Sequence, residues 1–438
     1  MQDIVSLSAA GRLQDVFAVQ RRAWAEQGAL PVQRRDEALE ALAAALVRHA
    51  DGFAHAVAQD FGHRSVHETK LADLYPAVTG LRYARKHFRR WMKPRRRPIR
   101  MMFQPASGRI QYQPLGIVGI ISPWNYPVQL ALSPLAGALA AGNRIMIKPS
   151  ELTPRTSALL EQVIGEVFDE SEAAVVQGGA DVAQAFARLP FDHLFFTGST
   201  AVGKEVMKAA AENLVPVTLE LGGKSPAIVG PDYPLGKAAE RIAVGKLFNA
   251  GQTCIAPDYV FVPRRHEAAF ASAFRDAAAR LYPSLAANPD YTAIVSERHA
   301  ERLRRLVADA RARGAAVHEI NPAGESLDPS GRKIAPVVLT GVPAEALAMQ
   351  EEIFGPVLPV VPYDRVEDAI RFVKDRPHPL ALYVFSHDRE FVSRVLGQTS
   401  SGGVAVNETL LHCVQEELPF GGVGQSGMGA YHGEAGFR

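Results

Sequence analysis

Cysteine is nearly absent from this chain: Cys254 and Cys413 are the two in 438 residues. Two thiols cannot staple a chain this long, so the fold must rest on a buried apolar core, and their scarcity suits a reducing compartment, which predicts a cytoplasmic protein. Net charge is nearly absent too. Forty-eight Lys+Arg against 46 Asp+Glu leave +2, which excludes general binding of phosphate backbones through a charge excess. Uninterrupted apolar runs are also missing. The most apolar stretch, 115–142, is broken by Pro123, Asn125, Pro127 and Pro134, so no membrane-spanning helix is expected. The first eleven residues lack a basic region followed by an apolar one, so no signal peptide is expected. Internal repeats and low-complexity tracts are not visible. What remains is a globular composition, 47% hydrophobic, 21% charged and 8% aromatic, long enough for about two to three domains.

Residues 9–92 read as helices, with Leu39, Leu42 and Leu46, then Leu71, Leu74, Val78 and Leu81, at helical spacing. Between Arg85 and Arg100 lie nine Lys or Arg, interleaved with Phe88, Trp91 and Pro94. That run reads as a solvated helix end leading into an exposed hairpin, with a nucleic-acid or membrane patch as the alternative. From 115 onward short β-rich runs (117–121, 145–148, 174–177, 193–197) alternate with helical segments, the pattern of a parallel sheet. Thr153-Pro154 supplies a cap and a first-turn proline for one such helix. The rhythm restarts after about 220, with runs at 227–229, 259–262, 337–339, 357–361, 381–385 and 404–406. Two α/β units joined near 217–225 are therefore expected. Residues 321–332, with Pro322, Gly324, Pro329 and Gly331, read as a long loop.

Three motifs could carry chemistry. Gly198-Ser199-Thr-Ala-Val-Gly203-Lys204 follows a strand and opens a helix, where backbone N–H groups approach phosphates. Glu205 stands where a Walker loop needs Ser or Thr, so an NTP hydrolase is disfavoured and a dinucleotide pyrophosphate is the better ligand, a bare glycine turn being the bland alternative. Cys254, in Phe248-Asn-Ala-Gly-Gln-Thr-Cys254, is either a small buried hydrophobe or a thiol exposed among backbone N–H donors that could hold an oxyanion. Cys413, beside Leu410, Leu411 and Val414, reads as packing. Glu220, in Glu-Leu-Gly-Gly-Lys224, is a lone acid at a strand end, able to serve as a general base or to sit as an exposed turn residue. No metal site emerges: His63 and His67 are four apart without further ligands.

Together these residues resemble the NAD(P)-dependent aldehyde dehydrogenase superfamily. Pro123-Trp124-Asn125, Lys148-Pro-Ser150-Glu151, Phe196-Thr-Gly-Ser, Glu220-Leu221-Gly-Gly-Lys, Gly251-Gln-Thr-Cys254, Glu352-Ile-Phe354-Gly-Pro and Pro419-Phe-Gly-Gly-Val-Gly occur in the family's order over about residues 110–433. Val406-Asn-Glu-Thr-Leu-Leu-His and Ser426-Gly-Met-Gly-Ala-Tyr-His-Gly look like the class 3 branch, and within it the coniferyl aldehyde dehydrogenases. The resemblance implies an α/β fold: a Rossmann-like cofactor domain (1–98 and 115–217), a hairpin for oligomerisation (99–114), a second α/β catalytic domain (218–418), and a segment, 419–438, returning toward the cofactor domain.

It implies oxidation of an aldehyde to the acid, with Cys254 as nucleophile, Glu220 activating water and Asn125 helping to hold the oxyanion. NAD is the implied cofactor, with NADP possible, bound through Ser122, Trp124, Lys148, Ser150, Glu151, Gly198, Ser199, Gly203, Leu221, Glu352 and Phe354. The implied partners are a small aldehyde, aromatic or unsaturated such as coniferaldehyde, and a second copy of the chain in a homodimer; no nucleic acid, membrane or metal is implied. Family chains usually continue a few dozen residues past the region matching Tyr431-His-Gly, whereas this sequence stops at Arg438. Medium- or long-chain aliphatic aldehydes are the alternative substrates. Acylating relatives, which pass the thioester to coenzyme A, generally lack the glutamate matching Glu220.

Overall fold

Runs of β-branched and apolar residues bounded by glycine, proline and helical segments form two separate, mostly parallel sheets, as the alternating pattern predicts. The computed structural model describes residues 2–328 and 331–438, with side chains described from residue 11; Pro329, in the expected loop, and Met1 lie outside the described residues. Strands β1 (Arg95–Arg97) and β2 (Gly108–Ile110) form an isolated antiparallel hairpin. Strands β3 (Ile117–Ile121), β4 (Arg144–Lys148), β5 (Ala173–Val175), β6 (His193–Thr197) and β7 (Val217–Glu220) lie parallel in the order β7-β6-β3-β4-β5. The second sheet holds β8 (Pro226–Val229), β9 (Tyr259–Pro263), β10 (Ala316–Glu319), β11 (Val337–Thr340), β12 (Val357–Tyr363), β13 (Ala381–Phe385) and β14 (Gly403–Val406), in the order β10-β11-β12-β9-β8-β13-β14. All its pairings are parallel except that of β10. Finally β15 (Gly427–Met428) lies antiparallel on the free edge of β7.

Every residue of β3, β4, β8, β9 and β13 is buried, as expected where helices cover both faces. Because β7 pairs with β6, the chain leaves the first sheet after Glu220, and the 217/218 boundary drawn from sequence falls inside that strand. Likewise the paired arms of the hairpin lie at 95–97 and 108–110, so its first arm is built from the arginine run itself. Among the described residues no helix is long and apolar enough to cross a membrane.

One helical expectation fails. Leu71 is exposed while Leu74, Val78 and Leu81 are buried, because a π-helical turn at Lys70–Leu74 inserts a residue and shifts the helical phase. Past that turn, helix Tyr75–Trp91 packs Leu81, Phe88 and Trp91 against the buried helix Gln129–Ala141. Asp73, also within the turn, accepts hydrogen bonds through Oδ1 from the backbone N–H groups of Val128 and Gln129, at 3.0 and 2.6 Å. It thereby satisfies donors at the start of that helix, which no earlier carbonyl can reach. Burial pushes the Asp73 carboxyl up to about 6. Asp73→Ala orphans two buried donors and should lower stability by about 1–3 kcal/mol, read as an earlier urea midpoint. Asp73→Asn, which keeps the Oδ1 acceptor, should lose much less; equal losses would show that the cap is not what matters.

Candidate active site

In the first sheet the chain moves from β3 through β4 to β5 in one direction, and on to β6 and β7 in the other, which opens a crevice at the carboxyl ends of β3 and β6. The residues singled out from sequence collect there. Ser122, Trp124 and Asn125 follow β3; Lys148 ends β4, with Ser150 and Glu151 just beyond; Gly198 and Ser199 follow β6; Glu220 ends β7, with Leu221 next. Ser199 caps the helix Thr200–Ala211, its Oγ accepting from the N–H of Val202. Gly203 lies in the helix's first turn against Leu221, where a Cβ would fall 2.7 Å from Leu221 Cδ2. Lys148 is buried, with Nζ 3.1 Å from Oε2 of the half-exposed Glu151.

This crevice fits a nicotinamide dinucleotide. The buried hydroxyl of Ser122, at the end of β3, has no hydrogen-bond partner among the described residues, and a helix N-terminus faces the same end of the sheet. Gly222 approaches Glu352 so closely that a Cβ would lie 2.3 Å from Oε2. A cavity of about 210 Å³ opens beside them, lined by Thr200, Gly222, Glu352 and Gln425 among others. Burial, then the nearby Asp258, pushes the Glu352 carboxyl up to about 8.

The segment bearing Glu352 is pinned from below. Asp258 Oδ1 accepts from the N–H of Ile353 at 3.0 Å. Lys224 pairs with Asp258 and donates to the carbonyls of Ala348 and Glu351, and Arg302 donates to those of Glu352 and Ile353. Phe354, at φ 50°, stacks edge-on with Trp124 at 5.4 Å between centroids.

Cys254 lies between the helix Leu235–Leu247 and β9, after a left-handed turn, Asn249 to Gly251. At Gly251, φ is 76° and a Cβ would meet the carbonyl oxygen of Gly355 at 2.3 Å, so glycine is required there. The turn meets the loop after β3: Asn125 Nδ2 donates to the carbonyl of Gln252 at 3.2 Å, and the hydroxyls of Tyr126 and Thr253 are 2.6 Å apart. One N–H of the Asn125 amide remains uncommitted. Burial, then the carboxyl of Glu220, pushes the Cys254 thiol well above the usual range. Glu220 is 1% exposed and neither carboxylate oxygen has a hydrogen-bond partner among the described residues. Burial carries it to about 8, with Glu352 adding to the rise and Cys254 and Thr197 opposing it. An acid and a thiol, both holding protons near neutrality, thus sit beside an amide donor. That is equipment for covalent attack on a carbonyl followed by proton abstraction from water.

Cys413 is half-buried against the core that also receives Cys254. Sequence reading missed Asp258, Arg302 and the buried charges of residues 64–73, since a single polar residue, in a loop (Arg64, Asp258) or on a helix (Glu68, Asp73, Arg302), carries no periodic signal.

The aldehyde dehydrogenase family pattern matches residues 4–438. A "Probable coniferyl aldehyde dehydrogenase" of Pseudomonas aeruginosa is 52% identical over 426 residues, 97% of this chain and 88% of that protein. The substrate-bound AldH of Staphylococcus aureus superposes with a TM-score of 0.91 at 39% identity, covering 97% of this chain and 91% of that one. A Mycobacterium tuberculosis aldehyde dehydrogenase complexed with NAD+ gives 0.87 at 30% identity, covering 98% and 88%.

The buried, unpartnered Glu220 has a stability consequence. An unfolded chain ionises this carboxyl above about 4.5, whereas the folded one keeps its proton to about 8, so its contribution to stability falls as pH rises through that window. Glu220→Gln should therefore melt higher than the parent at pH 8 and nearly level with it at pH 4.5, by differential scanning fluorimetry. A gap independent of pH would show that the carboxylate is not strained.

Proposed function

From the premise that the chain belongs to the aldehyde dehydrogenase family, we propose that Cys254 is the nucleophile, Glu220 the base of hydrolysis and Asn125 an oxyanion donor. The observation that carries this is the buried Glu220 carboxyl, which no charged group pairs and which faces the Cys254 thiol. A structural carboxylate would be paired. The ionised fraction of Glu220 takes the thiol proton and passes it on to solvent, and the thiolate attacks the aldehyde carbon, forming a C–S bond as the carbonyl π bond opens. The oxygen that gains charge is held by the free N–H of the Asn125 amide and the Cys254 backbone N–H.

When bound, the nicotinamide supplies the hydride acceptor. Cys254 then carries the acyl group as a thioester, and Glu220 accepts a proton from the water whose oxygen attacks the acyl carbon. The C–S bond breaks, the acid leaves, and the proton held by Glu220 passes to the departing sulfur, which restores the thiol and the carboxylate. Asn249, through its bonds to the carbonyls of Asn125 and Gln252 at 3.2 and 3.1 Å, holds the two loops at one separation throughout.

Lys148 and Glu151 would hold the adenosine ribose, with Ser150 beside them; Ser122, Trp124, Gly198, Ser199, Gly203 and Leu221 would line the pyrophosphate path; Glu352 would take the nicotinamide ribose, with Phe354 beside the ring. A carboxylate at Glu151 repels a 2′-phosphate, so NAD is preferred over NADP. The substrate is an aromatic or unsaturated aldehyde of the coniferaldehyde type. This reading is supported by the relative at 52% identity; a flat ring that packs on an aromatic side chain gains about 0.5–1.5 kcal/mol beyond its area. The hairpin of β1 and β2, with Met101, Met102 and Phe103 exposed between them, is the element through which a cytoplasmic homodimer would form.

Cys254→Ser should abolish oxidation while still binding NADH by fluorescence; near-parental turnover would overturn the nucleophile assignment. In the parent enzyme, kcat/KM should be higher for coniferaldehyde and benzaldehyde than for hexanal and acetaldehyde. If acetaldehyde matches the aromatic compounds, the substrate proposal fails and the chemistry stands.

A further inference from the structure

The turn that delivers Cys254 is held by buried charged residues that the chemistry above does not use. Asn249 (φ 52°, ψ 33°) and Ala250 (φ 50°, ψ 34°) are both left-handed, and Gly251 follows at φ 76°. Two successive non-glycine residues in this conformation persist where the surroundings hold them there. The hold comes from the short helix Val66–Thr69. Glu68, 7% exposed, accepts through Oε1 from the N–H of Asn249 at 3.1 Å and through Oε2 from the hydroxyl of Thr292 at 2.8 Å. Just upstream Arg64, 1% exposed, donates through Nη1 to the carbonyl of Asn125 at 2.7 Å. That same carbonyl accepts from the side-chain amide of Asn249. One segment therefore grips both loops: the left-handed turn through Glu68 and the Asn125 loop through Arg64.

We propose that Glu68 is a positioning residue for the nucleophile, fixing the left-handed turn so that the Cys254 backbone N–H and the Asn125 amide converge on one oxyanion. The inference rests on the reading of Cys254 and Asn125 given above. Its signature is a separation between reactions that need the oxyanion donors aligned and reactions that need the thiol alone. Acylation by p-nitrophenyl acetate without cofactor is of the first kind, and alkylation by iodoacetamide is of the second.

Glu68→Ala removes the acceptor for Asn249 and should slow ester acylation by about ten- to a hundredfold, with alkylation of Cys254 little changed. Glu68→Gln keeps an acceptor for that N–H, and Thr292 can turn its hydroxyl to accept from the new amide, so most of the acylation rate should return. Parental acylation in Glu68→Ala, or an equal fall in both reactions, overturns the proposal. Should Glu68→Ala fail to fold, Thr292→Val carries the same test: acylation should fall by about fivefold, one ordinary hydrogen bond, and an unchanged rate overturns it. Cys254→Ser run in parallel keeps the two readings apart. Surviving acylation there defeats the nucleophile assignment itself, whereas a dead Cys254→Ser beside a parental Glu68→Ala defeats the role of Glu68 alone.

Discussion

A carboxyl group sealed from water, facing a thiol and a hydroxyl but no charged partner among the described residues, is the constraint on which the rest of the site depends. The backbone around Glu220 is tied on every side: its carbonyl accepts from Gly198 N, Leu221 N donates to the carbonyl of Ser426, and Gly427 stands opposite it in the antiparallel pairing of β15. The side chain, by contrast, faces the Cys254 thiol and the Thr197 hydroxyl without a close hydrogen bond to either. Fixing the main chain while leaving the carboxyl unsatisfied keeps a base poised near neutrality without letting it move. The cost in stability is set by desolvation.

The two sheets divide the labour. The first supplies strand ends, where short loops present hydroxyls, a lysine and a helix N-terminus; the second supplies the strained turn bearing the thiol and the clamp bearing Glu352. They are joined through side chains that reach across, Asn125 to Gln252 and Tyr126 to Thr253 on one side of the cleft. On the other side Asp258 connects Lys224, just past Glu220, to Ile353 beside Glu352. The carboxyl of Glu352 therefore feels Asp258 directly, and both it and Glu220 hold their protons to about 8.

Much of this was legible in the sequence because it is local. Strand runs such as 117–121, 193–197 and 381–385 are continuous apolar stretches between turn residues, and they are strands in the structure at those limits. Motif residues cluster because doubly wound sheets bring their strand ends together. What was not legible depends on phase and on distance. The π-helical turn at Lys70–Leu74 leaves no mark in apolar periodicity, so Leu71 was placed on the wrong face. Strand β10 is half-exposed and antiparallel at a sheet edge, with too little apolar pattern to be seen. Glu68 and Arg64 are single polar residues in a helical region, and their partners lie 181 and 61 positions away in the chain.

The central claim, that Glu220 releases an acyl group held on Cys254, is tested most directly by intact-protein mass spectrometry. Glu220→Gln is mixed with NAD and a slight excess of benzaldehyde, then quenched in acid over a time series. The account predicts that a single benzoyl adduct builds up on the peptide containing Cys254 and persists, while the parent shows little at the same times. Absence of an adduct from Glu220→Gln, or one that decays as fast as in the parent, would contradict it.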